Sequence, residues 1–275
     1  MYKFKAFLFA ALILGMTACT HNTPLQWAGF HPDYEVGTYD LKGKRALIIA
    51  TNHDLLGEGP DADATGVASS EVTHPYYEFK RNGMKVDLGS VKGGKIPVDP
   101  QTIRFPVISP HDERSLVDSV FQQKIYNSLK IDNVDFTKYD IIFLAGGWGA
   151  AYDLGYSDVL GQKISQAYAA DRIVGGVCHG PLGLLKAKKP NGENLVKGLK
   201  LTAVTDKQVK ELGIELTPQH PEAELRKVGA LFESQTKFRD FLATHVVVDG
   251  NLITGQNQNS GLETADKMMK LLSSK

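Results

Sequence analysis

The sequence predicts an α/β fold, a three-layer α/β/α sandwich in which helices cover both faces of a mainly parallel sheet. Two observations carry this prediction. Residues 45–50 and 139–145 are short, continuously apolar runs of the kind that forms strands buried on both faces. Segments with helical periodicity alternate with such runs along the chain, as in folds built from strand–helix–strand units.

Local signals assign the elements in chain order. Apolar or alternating runs predict strands at 45–50, 85–91, 139–145, 172–177, 201–205 and 230–233. Helical patterns bounded by turn residues predict helices at 72–81, 115–129, 159–170, 181–188, 221–228 and 262–272. The segment 93–111 is rich in Gly and Pro and is expected to be a loop. Residues 245–248 and 251–254 flank Asp249-Gly250 and predict a hairpin.

Composition narrows the class of function. The chain has 275 residues, and its 31 Lys and Arg balance 31 Asp and Glu, so net charge gives no basis for a nucleic-acid partner. We found no tight metal-ligand spacing and no phosphate-binding glycine motif followed by Lys and Ser or Thr. The sequence therefore predicts a protein without metal or cofactor.

The N-terminus has the pattern of an export signal. Two lysines precede an apolar run at 7–16, which has the length of a signal-peptide core and is too short to span a bilayer. Met-Thr-Ala-Cys at 16–19 resembles a bacterial lipobox, which predicts a signal peptide at 1–18 and lipidation of Cys19. A plain cleaved signal peptide is the alternative.

This pattern also predicts localisation and domain organisation. We expect a tether at 19–40 and a catalytic domain at 41–275. Because Thr20 rather than Asp follows Cys19, the expected location is the bacterial cell envelope, as an outer-membrane lipoprotein facing the periplasm. Contact with the membrane would then occur only through the N-terminal lipid.

Cys178 is the residue most strongly indicated as reactive. It lies in Gly175–Gly180, which reads Gly-Gly-Val-Cys-His-Gly and follows the strand predicted at 172–177. Glycines on both sides allow a sharp turn, as in the nucleophile elbow of hydrolases. The helix predicted after the turn is expected to favour the thiolate, which is the nucleophilic form. A buried structural cysteine is the alternative.

Three neighbours are candidates for the same site. His179 is a candidate base, and its backbone N–H is a candidate oxyanion donor together with that of Gly147, which follows the strand at 139–145. Glu71 precedes the first predicted helix, and a carboxylate near the thiol would share or shuttle its proton. On sequence grounds alone, the favoured interpretation is that Glu71 is simply a good residue for the first turn of a helix.

Several segments, taken together and in order, resemble the ThiJ/PfpI superfamily, which is related to class I glutamine amidotransferases. They are Thr65-Gly66, Ser70–Pro75, Asp87 with Gly89, Pro97–Pro100, Gly146-Gly147, Gly175–Gly180 and Asp249–Gln256. Over about residues 44–272 the chain looks like the glutathione-independent glyoxalase and heat-shock chaperone branch. This resemblance implies a flavodoxin-like sandwich, usually a homodimer, with catalytic Cys178, His179 and Glu71.

The resemblance also implies a reaction on a small-molecule carbonyl substrate. In glyoxalase members the thiolate adds to the aldehyde of methylglyoxal, and proton transfers by the glutamate and histidine then yield lactate without glutathione or metal. Two positions depart from the family pattern. Trp148 stands where a pocket histidine is usual, and Gln208 occupies the usual position of the glutamate that orients the histidine. Asp206 is a candidate substitute for that acid.

Three functions remain open from the sequence. The first is a glyoxalase III-type or deglycase enzyme acting on small reactive carbonyls through Cys178. The second is an envelope holding chaperone or thiol oxidation sensor with little catalysis. The third is an amidase or peptidase that uses the same cysteine.

Overall fold

The computed structural model describes residues 23–240 and 243–275. Within these residues, eleven strands form one large sheet and two small ribbons. They are β1 (Arg45–Ala50), β2 (Leu55–Leu56), β3 (Asp63–Ala64), β4 (Lys85–Ser90), β5 (Leu129–Lys130), β6 (Ile141–Leu144), β7 (Ile173–Val177), β8 (Lys200–Leu201), β9 (Leu231–Phe232), β10 (Val246–Asp249) and β11 (Leu252–Gly255). The central sheet has the order β10-β11-β7-β6-β1-β4-β5.

Neighbouring strands of this sheet are parallel, with the exception of the β10–β11 hairpin. The sheet is buried on both faces. In β1, Ala46, Ile48 and Ala50 belong to one hydrophobic cluster, whereas Leu47 and Ile49 belong to the other. Because alternate side chains of a strand point to opposite faces, each face of the sheet has its own core.

The described residues form nine α-helices, and several of them pack on one core or the other. They are α1 (Pro24–Trp27), α2 (Ser69–Arg81), α3 (Pro110–Val117), α4 (Ser119–Tyr126), α5 (Ala150–Asp153), α6 (Asp158–Ala169), α7 (Asp206–Glu211), α8 (Pro221–Lys227) and α9 (Gly261–Ser273). Helices α2, α4 and α9 supply Phe79, Phe121 and Met268 to one core, and α6 supplies Leu160 to the other. The predicted three-layer α/β/α sandwich is confirmed.

Two predicted helices differ from the structure. The helix predicted at 115–129 is broken at Asp118, whose backbone is extended and whose carboxylate caps α4 by accepting from Val120 and Phe121 N–H. The helix predicted at 181–188 is a five-residue 3-10 turn, Gly180–Leu184. This segment contains two glycines and a proline, which disfavour a continuous α-helix.

The last part of the predicted tether at 19–40 contacts the domain. The hydroxyls of Tyr34 and Tyr39 donate to the carboxylate of Asp266 on α9 at 2.8 and 2.9 Å, and the Gly37 N–H donates to it at 2.8 Å. Residues 34–39 are therefore docked on the domain. The predicted signal peptide at 1–18 and lipidation site Cys19 lie outside the described residues. None of the helices in the described ranges has the length and apolar character that a membrane crossing requires.

Candidate active site

Cys178 follows β7 in a left-handed backbone conformation, with φ at 58°. This conformation is costly for a residue with a Cβ, and neighbouring segments hold it in place. The Cys178 N–H donates to the Gly255 carbonyl at 3.1 Å, and its carbonyl accepts from Val204 N–H at 3.0 Å. A Cβ at Gly180 would lie 2.1 Å from the Leu144 carbonyl oxygen, so only glycine fits there. The turn has the form of a nucleophile elbow.

Glu71 lies in the first turn of α2 and is fully buried. Its Oε2 accepts from Gly146 N–H at 2.7 Å, and Oε1 has no hydrogen-bond partner. Burial raises the pKa of Glu71 to about 8, although the Gly146 N–H and the Cys178 thiol lower it. At neutral pH the carboxyl is therefore mostly protonated, and it is poised to exchange a proton.

Cys178 is only 7% exposed, and the pKa of its thiol is raised well above the ordinary value. Burial is the largest cause, followed by the charge of the Glu71 carboxylate; the backbone N–H groups of Gly147 and His179 act in the opposite direction. The expected helix N-terminus is replaced by the short 3-10 turn. The expectation of a thiolate at rest is thus wrong, because desolvation outweighs the local dipoles.

His179 is fully buried beside the cysteine. Its Nδ1 lies 3.4 Å from the Cys178 sulfur, whereas Nε2 has no hydrogen-bond partner. Burial, with a smaller contribution from His220, lowers the pKa of His179 to about 3. The ring is therefore neutral at physiological pH, and it can accept or pass on a proton but carries no charge.

The structure does not bring Asp206 to His179, so the assignment of Asp206 as orienting acid is corrected. Asp206 is exposed at the start of α7, and its N–H donates to Glu222. Gln208 is also committed elsewhere: its amide accepts from Thr205 N–H at 2.9 Å and donates to the Asp240 carbonyl at 2.8 Å. Gln208, the residue at the usual position of the orienting acid, is therefore used to cap α7.

Gly147 begins the loop that closes the site on the β6 side. Its φ is +84°, and a Cβ there would lie 2.3 Å from the Ala68 nitrogen and 2.5 Å from the Gly66 carbonyl oxygen. This close approach locks the loop against the start of α2. It explains how the Gly147 N–H reaches the Cys178 sulfur from a distant part of the chain.

A small cavity opens over the sulfur. Its volume is ≈ 170 Å³, and it is lined by Ala68, Ser70, Glu71, Asp99, Gln101, Thr102, Val107, Gly147, Trp148, Cys178, Leu212 and Gln258. The structure thus places the predicted residues Cys178, Glu71, Gly147 and Trp148 around one cavity. His179 lies beneath the sulfur rather than in the lining.

Sequence reasoning missed the far wall of this cavity. Asp99, Val107 and Leu212 come from the predicted loop and from the end of α7. The Pro97–Pro100 motif gave a signal for Asp99, but Val107 and Leu212 carry no local signal. Among the described residues, no group of three or more His, Cys, Asp or Glu is arranged to hold a metal ion.

Solved structures resemble this fold closely. The Candida albicans glyoxalase III structure has a TM-score of 0.73 at 25% identity, covering 85% of this chain and 98% of that one. The Francisella tularensis Rapid Encystment Protein 24 KDa has a TM-score of 0.76 at 29% identity, covering 83% of this chain and 99% of that one. Both likenesses support the predicted flavodoxin-like arrangement.

The predicted localisation is wrong. The relatives that match include yeast glyoxalases and a Francisella protein, and none of these points to an envelope lipoprotein. These matches cover 90–99% of the relatives and 76–84% of this chain.

Curated relatives and a family match agree with the resemblance seen in the sequence. The Schizosaccharomyces pombe glutathione-independent glyoxalase hsp3101 is 30% identical over 241 residues, 84% of this chain and 96% of that protein. Glyoxalase 3 of Candida albicans is 28% identical, over 76% and 90% of the two chains. The prediction of an enzyme is confirmed by these relatives. A family match spans residues 63–271, and the chain belongs to the DJ-1/PfpI family.

Proposed function

We propose that this protein is a cysteine-dependent, cofactor-free glyoxalase that converts a small 2-oxoaldehyde such as methylglyoxal into the 2-hydroxy acid, here lactate. One observation carries the proposal: a buried carboxyl that exchanges its proton near neutral pH is paired with a strained, buried thiol, and both line a small cavity. The relatives' names as glutathione-independent glyoxalases give independent support.

In the first step the Cys178 sulfur bonds to the aldehyde carbon. The thiol proton passes to the ionised carboxylate of Glu71, which delivers it to the aldehyde oxygen, and a hemithioacetal results. The N–H groups of Gly147 and His179 already point at the sulfur, so they lie near the oxygen on which negative charge develops. Because both donors are backbone groups, they are fixed before the reaction begins.

In the second step Glu71 removes the hydrogen of the former aldehyde carbon as a proton, and an enediolate forms. Glu71 returns this proton to the neighbouring carbon, and the hydroxyl proton of the first carbon moves to the oxygen of the second, which gives a thioester of the 2-hydroxy acid. Water then breaks the carbon–sulfur bond, and the thiol recovers its proton. One carbon is oxidised and its neighbour is reduced, so no external oxidant is required. The neutral His179 beside the sulfur is placed to relay a proton in this last step.

The other functions have less support in the site. An oxidation sensor depends on thiolate character at neutral pH, and burial opposes this at Cys178. Deglycase or peptidase substrates are bulkier than a cavity of ≈ 170 Å³ encloses. The homodimer that the family resemblance implies is part of the proposal, and light scattering after size exclusion would distinguish it from a monomer.

The test is a glyoxalase assay without glutathione. The wild-type protein should form lactate from methylglyoxal, and Cys178→Ser should lose at least about a thousandfold in kcat/KM. Cys19→Ser is the matched control, because it removes the other cysteine of the chain and should retain activity. Equal inertness of the wild type and Cys178→Ser with methylglyoxal would overturn the proposal.

A further inference from the structure

The cavity over Cys178 has one apolar side. Val107 from the loop before α3, Trp148 from the loop after β6 and Leu212 at the end of α7 line it together. Three segments that are distant in the sequence thus each place a large apolar side chain at the same cavity. Such a wall is the kind of surface that buries an apolar substituent, because removal of apolar area from water is favourable.

Two polar residues of the lining, Asp99 and Thr102, are engaged in hydrogen bonds to neighbouring segments. Asp99 accepts from the Thr65 hydroxyl and from Gln101 N–H, both at 2.8 Å. The Thr102 hydroxyl donates to the Asp99 carbonyl at 2.8 Å and accepts from Ser69 N–H at 3.0 Å. These hydrogen bonds fix the loop that carries Asp99 and Thr102 against the start of α2.

The cavity has room for more than a methyl group. Its volume is ≈ 170 Å³, and an apolar cavity of about 150 Å³ holds a benzene ring. A 2-oxoaldehyde whose aldehyde carbon meets Cys178 and whose aldehyde oxygen lies near the Gly147 N–H would direct its substituent along the remaining wall.

We propose that Trp148 is a specificity-determining residue that makes the enzyme prefer 2-oxoaldehydes with an apolar substituent larger than methyl over glyoxal and over hydroxylated analogues. This inference rests on the proposed glyoxalase activity and deepens it. Trp148 has the largest side chain of the three residues in the wall. A single methylene in an apolar pocket changes kcat/KM by about 10–200-fold, so a ring against Trp148 should produce a preference of at least tenfold.

The first measurement compares kcat/KM for glyoxal, methylglyoxal, phenylglyoxal and hydroxypyruvaldehyde. The wild type should prefer phenylglyoxal over glyoxal, and Trp148→Ala should lower the phenylglyoxal-to-glyoxal ratio by about tenfold or more. Comparing the phenylglyoxal-to-glyoxal ratio of kcat/KM between the wild type and the variant cancels the intrinsic reactivity of each aldehyde. Trp27→Ala is the matched control, because Trp27 is the other tryptophan, is 76% exposed and lies outside the cavity. It should leave the ratio unchanged.

A second measurement needs no turnover. Cys178 is alkylated with phenacyl chloride or with chloroacetone; the sulfur–carbon bond forms, chloride leaves, and the thiol proton is released to solvent. Peptide mass spectrometry reads the modification at Cys178, and rates are normalised to a free thiol such as cysteine. The normalised phenacyl preference should fall about tenfold in Trp148→Ala and persist in Trp27→Ala. Unchanged ratios in the variant would overturn the inference. Absence of any 2-hydroxy acid, with the alkylation preference intact, would instead overturn the glyoxalase proposal alone.

Discussion

The carboxyl group of Glu71 faces the thiol of Cys178 in a buried pair, and burial raises the pKa of both groups. Glu71 comes from the first turn of α2 and Cys178 from the elbow after β7. The pair therefore forms only when the chain has folded. At rest it holds both protons, so one proton must leave before the sulfur can attack a carbonyl.

This pair predicts the pH dependence of the reaction. Because the pKa of Glu71 is about 8, the ionised carboxylate that accepts the thiol proton is scarce at low pH. We expect kcat/KM to rise about tenfold per pH unit from pH 6 and to level off above about 8. Because the pKa of His179 is about 3, its titration does not change kcat/KM between pH 6 and 9. A flat profile between pH 6 and 9 would contradict the assignment.

Glu71→Gln keeps the shape of the side chain and removes its proton exchange. We expect kcat/KM to fall by about 10²–10⁴-fold, the usual contribution of a general acid or base, and the limb near pH 8 to disappear. Glu113→Gln is the control, because Glu113 is exposed on α3 and outside the cavity. It should retain both the rate and the profile.

The same burial links stability to pH. The pKa of Glu71 is raised from an ordinary 4.5 to about 8 in the folded protein, so folding takes up a proton between these values. This contribution to the free energy of unfolding is complete below pH 4.5 and is lost as pH rises through 8. Each pKa unit corresponds to about 1.4 kcal/mol as an upper limit. Urea unfolding at pH 5 and pH 9 should show a smaller stability loss for Glu71→Gln than for the wild type. An identical loss in both would contradict the linkage.

Gly147→Ala tests the close approach that fixes the oxyanion loop. The added Cβ would lie 2.3 Å from the Ala68 nitrogen, so the loop must move away from Cys178, and activity should fall at least a hundredfold. Gly94→Ala is the control for backbone strain. Its φ is +76°, but no atom lies within 4 Å of the added Cβ. It should cost about 1–2 kcal/mol of stability and retain activity. Equal activities of the two variants would show that the clash at Gly147 does not matter.

Asp206→Asn tests the conclusion that Asp206 does not orient His179. Asp206 is exposed, and no hydrogen bond joins it to His179 in the described residues, so kcat/KM should stay within about twofold of the wild type. A loss of tenfold or more, with unchanged thermal unfolding, would mean that Asp206 acts on His179 during the reaction.

The sheet and the elbow were predictable because their signals are local. The apolar run of β1 indicates a strand that is buried on both faces. The glycines around Cys178 indicate a tight turn in which larger side chains would clash. The break at Asp118 was not predicted, since the apolar periodicity continues across α3 and α4 while a single capping carboxylate separates them. The engagement of Gln208 in the capping of α7 likewise depends on the Asp240 carbonyl, which comes from another segment.

The sequence by itself determined the α/β class, the strained turn at Cys178 and the kinship of the chain, because periodicity, glycine placement and motif order are properties of short segments. Only the tertiary structure decided that the thiol of Cys178 is protonated and that Asp206 makes no hydrogen bond to His179. It also decided which residues, Val107, Trp148 and Leu212, form the apolar wall of the cavity. The physical reason is that desolvation and the contents of a cavity depend on which distant segments meet. The local turn predicts a thiolate. Burial against α2 instead raises the pKa of Cys178, so the thiol stays protonated until the Glu71 carboxylate accepts its proton.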